Sequence, residues 1–221
     1  MRFTGTYDQD QLLDESPSIT WCHINKLAGC GALGDLGSHL LSISQFIMGD
    51  ITKVNAVATT VFPKRPKSAG STEMVDVENE DIMTFMAEYA NGAIGQIACS
   101  RVATGRKNYL TYEIQGTKGS VRYDLERMGE VQVYFQSDNE RDRGFRTVLL
   151  NPLMKGYSAF QPAGGISIAY NDMKILEVHA LFDAITNGAD YVTDFEFGYK
   201  IDRTVAAVIE SSKTHEWVDV K

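Results

Sequence analysis

Hydrophobic positions change their period twice along this chain. From residue 35 to 48 apolar side chains recur at helical spacing, with Leu36, Leu40, Ile43 and Ile47 on one stripe and Leu41 and Met48 on another. The helix predicted there is apolar nearly all round, hence buried, and Gly49 stands behind it as a C-terminal stop. From Ile51 the pattern becomes extended, and Val54, Val57, Thr59, Thr60 and Val61 are suited to a pleated surface. A loop over 62–76 follows, then a strand over 81–89, and Asn91-Gly92 turns it back into an antiparallel partner over 93–102. Strands over 109–115, 120–125, 131–135 and 145–150, separated by glycine-containing or charged turns, continue this as a meander. Helical spacing returns over 171–186, through Ile175, Val178, Leu181, Phe182 and Ile185, and over 196–212, through Val205, Val208 and Ile209. Residues 1–20 are polar and turn-rich and read as an extended lead-in.

One helix, then strands, then helices is an α+β order: a large, mainly antiparallel, open-faced sheet with helices gathered on one face. At 221 residues it is expected to be one domain spanning 1–221. The other sheet face carries Tyr, Phe, Met and Leu among Glu, Gln and Arg, which suits cover by a second subunit better than by water.

Charge narrows the partners. Lys and Arg number 21 against 29 Asp and Glu, and the net charge of -8 argues against a nucleic-acid surface. The basic run Lys64-Arg65-Pro66-Lys67 reads as part of a solvated loop. Three cysteines, Cys22, Cys30 and Cys99, form no disulfide framework and indicate a reducing, cytoplasmic setting. Cys22, His23 and Cys30 fit no common zinc spacing. No apolar run approaches the ~20 residues of a membrane span.

Chemistry concentrates in Gly29-Cys30-Gly31-Ala32-Leu33-Gly34-Asp35-Leu36-Gly37-Ser38-His39. Small residues let a backbone approach a ligand closely, and Asp35 and His39, at i and i+4 where a helix begins, share one face. Gly29-x-Gly31-x-x-Gly34 has the letters of a dinucleotide fingerprint without its context. No hydrophobic strand precedes it, and no acidic residue closes a second strand behind it. Taken alone, His39 reads as a core histidine or a catalyst, and Asp35 as a substrate partner or a carboxylate favoured by the helix dipole.

The stretch 28–39 resembles the motif that opens the C-terminal domain of the glucose-fructose oxidoreductase / inositol dehydrogenase / rhizopine catabolism (Gfo/Idh/MocA) family of NAD(P)-dependent oxidoreductases. The similarity continues in order through Gly49-Asp50-Ile51, Tyr89-Ala90-Asn91-Gly92-Ala93, Ser100-Arg101, Gly105-Arg106-Lys107-Asn108, Glu113-Ile114-Gln115-Gly116-Thr117-Lys118-Gly119-Ser120, Arg143-Gly144-Phe145-Arg146 and Asp194-Phe195-Glu196-Phe197-Gly198-Tyr199. The resemblance implies a C-terminal domain like that of glyceraldehyde-3-phosphate dehydrogenase, which supplies substrate and subunit contacts. A Rossmann domain, absent from this chain, binds NAD or NADP in such proteins. It implies a sugar, polyol or related hydroxy compound as substrate, homo-oligomers through the open sheet face, and a chain inactive alone. A stand-alone interaction module with the same fold is the alternative.

By the resemblance His39 is the general acid/base and Asp35 its substrate-side partner. Oxidising a secondary alcohol requires a base for the hydroxyl proton, a role that an imidazole suits. Cys30 stands where many relatives have glycine, beside the expected substrate pocket, and Gly165 where relatives often have histidine. Trp21 reads as a sugar-stacking or a core tryptophan. Arg101 reads as a pocket residue or an ion-pair partner, while Tyr157 and Tyr170 have the position for polyol hydrogen bonds or for plain packing. Gly29 and Gly31 are the candidates for nicotinamide-side contacts.

Overall fold

The computed structural model describes residues 1–221, and its first strand, β1 (Arg2–Asp8), lies within what was expected to be a polar, extended lead-in outside the sheet. Phe3 and Tyr7 point into the core with Gly5 between them, and a Cβ on Gly5 would stand 2.9 Å from the Phe3 ring and 3.1 Å from Leu40. The strand therefore carries a glycine at its centre, which breaks the alternation by which strands are read.

The remaining strands are β2 (Ile51–Thr59), β3 (Lys64–Pro66), β4 (Met74–Asp76), β5 (Ile82–Tyr89), β6 (Ile94–Ser100), β7 (Tyr109–Gln115), β8 (Gly119–Asp124), β9 (Glu130–Phe135), β10 (Arg146–Leu149) and β11 (Val218–Asp219). Nine form one sheet in the order β10-β9-β8-β7-β1-β6-β5-β2-β11, and β3 and β4 form a separate hairpin within the expected loop. The meander is real on each side but not continuous. β1 separates β6 from β7, running parallel to the first and antiparallel to the second. At the Asn91-Gly92 turn Gly92 takes φ +80°, the left-handed conformation a short hairpin loop needs.

Helices are α1 (Asn25–Ala28), α2 (Ser38–Met48), α3 (Tyr170–Asn187) and α4 (Phe195–Thr214). The helix expected from residue 35 is in fact two pieces: a π-type turn over Leu33–Gly37, then α2. Leu33, Leu36, Leu40 and Leu41 from this segment meet Phe3, Phe85, Ile97 and Val54 of the sheet in the core. α4 lies against β2, and polar ties fix the two together: Ala56 N–H donates to Ser211 Oγ at 2.9 Å, and Gln45 of α2 bonds both Thr204 Oγ1 and the Ile51 N–H. Asp194 caps α4 by accepting from Phe197 N–H.

Two findings depart from the expected pattern. α3 makes no extensive contact with another element, and its Ile175, Val178, Leu181, Phe182 and Ile185 are all exposed. In the basic run, Arg65 is buried at 1% exposure and donates to the carbonyls of Leu12 and Asp14, so it is a structural clamp and not a solvated charge. The open sheet face presents Val57, Met86 and Ile94 among Thr4, Thr6, Gln96, Glu113 and Arg122, as the alternation of β1, β2 and β5–β8 requires.

Candidate active site

A cleft of about 440 Å³ opens between the π-type turn, the segment before α1 and the end of β6. Trp21, Cys30, Gly31, Asp35 and Arg101 line it together with Gln11, so five of the residues singled out from the sequence meet there. His39 lies one turn beyond Asp35, its ring edge-on to Tyr7 with centroids 5.7 Å apart. Although His39 keeps an exposed side in this chain, desolvation of the ring pushes its pKa below the ordinary value. Asp35 opposes that shift and Lys174 of α3 adds to it. The shift favours the neutral imidazole, the form able to accept a proton.

Tyr170, at the start of α3, is close enough to Tyr7 to act on its ionisation, which puts it on the His39 side of the cleft. Tyr157 bears instead on Tyr112 and Tyr123 over β7 and β8 and is not part of the cleft wall. Trp21 is 66% exposed and offers its ring face to whatever enters. Burial first, and then the Glu80 carboxylate, pushes the Cys30 thiol up to about 11, so it serves as a wall and not as a nucleophile.

Arg101 is 1% exposed, and its guanidinium is spoken for. Nε donates to Asp81 Oδ1 at 2.8 Å, and the terminal nitrogens donate to the carbonyls of Cys22 and Asn79. Asp81 also accepts from the N–H groups of Val61 and Phe62. Removing one partner of such a pair costs about 3–5 kcal/mol, because the other is left buried and uncompensated. Arg101 thus shapes the cleft by holding Cys22 and its neighbours.

The glycines of the opening motif answer mostly to the chain itself. A Cβ on Gly31 would lie 2.0 Å from the Glu80 carbonyl oxygen, one on Gly34 2.7 Å from Cys30 Sγ, and one on Gly37 2.9 Å from Leu33. Gly29 has open space and φ +78°, as the residue closing α1. The N–H groups of Gly31 and Leu33 donate to the Glu80 carboxylate at 2.9–3.0 Å. An acidic side chain therefore occupies the place where a dinucleotide fingerprint would hold pyrophosphate. Sequence reasoning missed Glu80, Asp81 and Asn79. The signal was the run Glu78-Asn79-Glu80-Asp81 ahead of β5, too polar for a strand and continuous enough to be a strap.

An open, mostly antiparallel sheet thus carries the Asp35/His39 turn on its helical face. A family model for the GFO/IDH/MocA C-terminal domain matches residues 1–122, and the chain belongs to that family. It is 37% identical, over its whole length, to levoglucosan dehydrogenase from Pseudarthrobacter phenanthrenivorans, of which it spans 59%. It also superposes on a crystal structure of that enzyme with NADH and L-sorbose at a TM-score of 0.95, covering 100% of this chain and 58% of that one. A NAD-binding oxidoreductase from Klebsiella pneumoniae, 38% identical, superposes at a TM-score of 0.94 with 100% and 59% of the two chains covered. A D-apiose dehydrogenase from Rhizobium rhizogenes is 30% identical over 43% of this chain and 26% of its own length.

Proposed function

We propose that this domain is the substrate-binding half of a nicotinamide-dependent dehydrogenase acting on a sugar, polyol or related hydroxy compound, with His39 as general acid/base. The observation that carries this reading is the His39 imidazole set one turn beyond Asp35, which itself lines a cleft with an exposed tryptophan. A hydroxyl bound near Asp35 would give its proton to His39, while Asp35 accepts a hydrogen bond from the substrate and stabilises the imidazolium that forms. Trp21 offers the apolar face of a sugar ring a stacking partner. The relative solved with NADH and L-sorbose makes NAD and a sugar-like ligand the first candidates.

The nicotinamide supplies the hydride acceptor when bound. This chain's residues fit only its substrate-facing side, since the backbone donors of Gly31, Ala32 and Leu33 are already taken by Glu80 and that of Gly29 by Asn25. Phosphate recognition therefore falls to a Rossmann domain, and the unpartnered apolar stripe of α3 supports a partner of that size. The open sheet face, with Val57, Met86 and Ile94 exposed, supports pairing with a second copy. Three unpaired cysteines suit a cytoplasmic setting.

The test joins this chain to the nucleotide-binding half of the enzyme and follows nicotinamide reduction with a panel of anhydrosugars, aldoses and polyols. His39→Ala is expected to lower kcat by roughly 10² to 10⁴, the usual contribution of a positioned acid/base, with the thermal midpoint little changed. Turnover equal to the parent's would remove His39 from the mechanism. Micromolar binding of NADH by the 221-residue chain alone would overturn the division of labour.

A further inference from the structure

We propose that Glu80 is a positioning residue of this site: its carboxylate is the detached cap that holds the π-type turn carrying Asp35 in register with His39. The proposal rests on the acid/base reading of that pair.

Three amides open the helical segment with no partner inside it, and all three go to one residue. Gly31 and Leu33 N–H donate to the Glu80 carboxylate, and Ala32 N–H donates to its carbonyl at 3.1 Å. A helix start is normally capped from within by Ser, Thr, Asp or Asn just ahead of it. Here Cys30, Gly31 and Ala32 ahead of the turn supply no side-chain oxygen, and the cap comes from 49 residues further along the chain. Gly31 is then required by the close approach of the Glu80 main chain.

Glu80 reaches the turn from a rigid support. Asn79 and Asp81 on either side are each 1% exposed; Asn79 bonds Asn25 and the Cys22 carbonyl, and Asp81 bonds Arg101. The turn itself is wide, with Ser38 N–H donating to Leu33 O. In an α-helix of about 3.6 residues per turn, positions i and i+4 overshoot one full turn. A wider turn advances less per residue and brings Asp35 and His39 closer to one line. Single π-type turns are costly deviations that recur at functional sites, and this one needs its amides held.

Asp35 makes no hydrogen bond to His39, and its side chain is touched by one donor, Gln11 Nε2 at 3.3 Å. The register of the pair is therefore set by the backbone, which core packing of Leu33 and Leu36 holds from one side and Glu80 holds at its open amides.

The experiment is an NMR titration of the His39 ring in the 221-residue chain, comparing the effect of Asp35→Asn in two backgrounds. In the parent, Asp35→Asn should lower the His39 pKa, because desolvation and Lys174 depress it and Asp35 raises it. In Glu80→Ala the same substitution should shift His39 by less than about half as much, since coupling falls with separation and solvent access. Glu80→Gln, which keeps an acceptor oxygen, should restore most of the coupling. An undiminished effect of Asp35→Asn in Glu80→Ala overturns the proposal, and so does a Glu80→Gln variant that behaves as Glu80→Ala does. If Glu80→Ala is unfolded by circular dichroism, Glu80→Asp, one methylene shorter, carries the same expectation and the same refutation. Because the coupling is read without substrate or turnover, unchanged turnover in His39→Ala counts against the acid/base reading, whereas an unchanged coupling counts against Glu80.

Discussion

His23 shows how a buried titratable group writes itself into stability. It is 2% exposed, its Nδ1 accepts from the Thr20 N–H, and its Nε2 is buried without a partner. Burial, with Arg101 and Arg65 nearby, pushes its pKa down, and His39 is displaced the same way by desolvation. A histidine whose folded pKa lies below its unfolded value binds fewer protons in the folded state, so stability falls as pH drops below the unfolded value of about 6.5. Urea unfolding between pH 7.5 and 5.5, above the range where carboxylates titrate, should show this loss, and His23→Gln should flatten the slope. An equal slope in the variant would place the proton uptake elsewhere. At this scale the sequence was partly legible. Asp35 and His39 stand out because acid and base at i and i+4 have a meaning on any helical turn. Glu80, Asp81 and Asn79 do not, because their partners lie 19 to 57 residues away in the chain. Arg101 was visible as a residue, whereas its commitment to Asp81 was not.

Among the elements, α2 and α3 have similar apolar spacing and opposite fates. Leu40 in α2 is fully buried, whereas Phe182 in α3 is 60% exposed and Ile185 70% exposed. The energetic consequence follows directly. Leu40→Ala should cost the chain about 2–5 kcal/mol, while Phe182→Ser should fall within about 0.5 kcal/mol, as surface substitutions do. Chemical denaturation of the two variants checks both. With the chain joined to the Rossmann domain proposed as its partner, the Phe182→Ser cost should rise toward that of a core residue, since the stripe is expected to be covered there. Periodicity reveals that a helix has an apolar face but not what that face meets. The same limit explains the split of the helix predicted from residue 35: the hydrophobic stripe runs through both pieces, and the change from π-type turn to α-helix leaves it unbroken.

For the whole molecule, the expected α+β class and one-sided helices describe the sheet and its α2 and α4 cover, but the strand order could not be read locally. β2, β5–β6 and β7–β10 are hairpin-connected runs with turn signals between most of them, and they were visible as such. The exceptions, β1 and β11, are a glycine-centred strand and a two-residue edge strand whose pairing depends on residues from the other end of the chain. β1 has a consequence for assembly. β1 alone bridges two half-sheets that otherwise do not pair, so the fold is a clasp closed by one strand. Contacts so distant in sequence are slow to form, and the half-sheets keep bare edges until β1 docks between them. A fragment of residues 9–221 should accordingly unfold without a sharp transition. A synthetic peptide of residues 1–8 added in trans should restore cooperative melting and raise the midpoint with peptide concentration, by mass action. A fragment that melts as sharply without the peptide as with it would mean that β6 and β7 can find each other unaided.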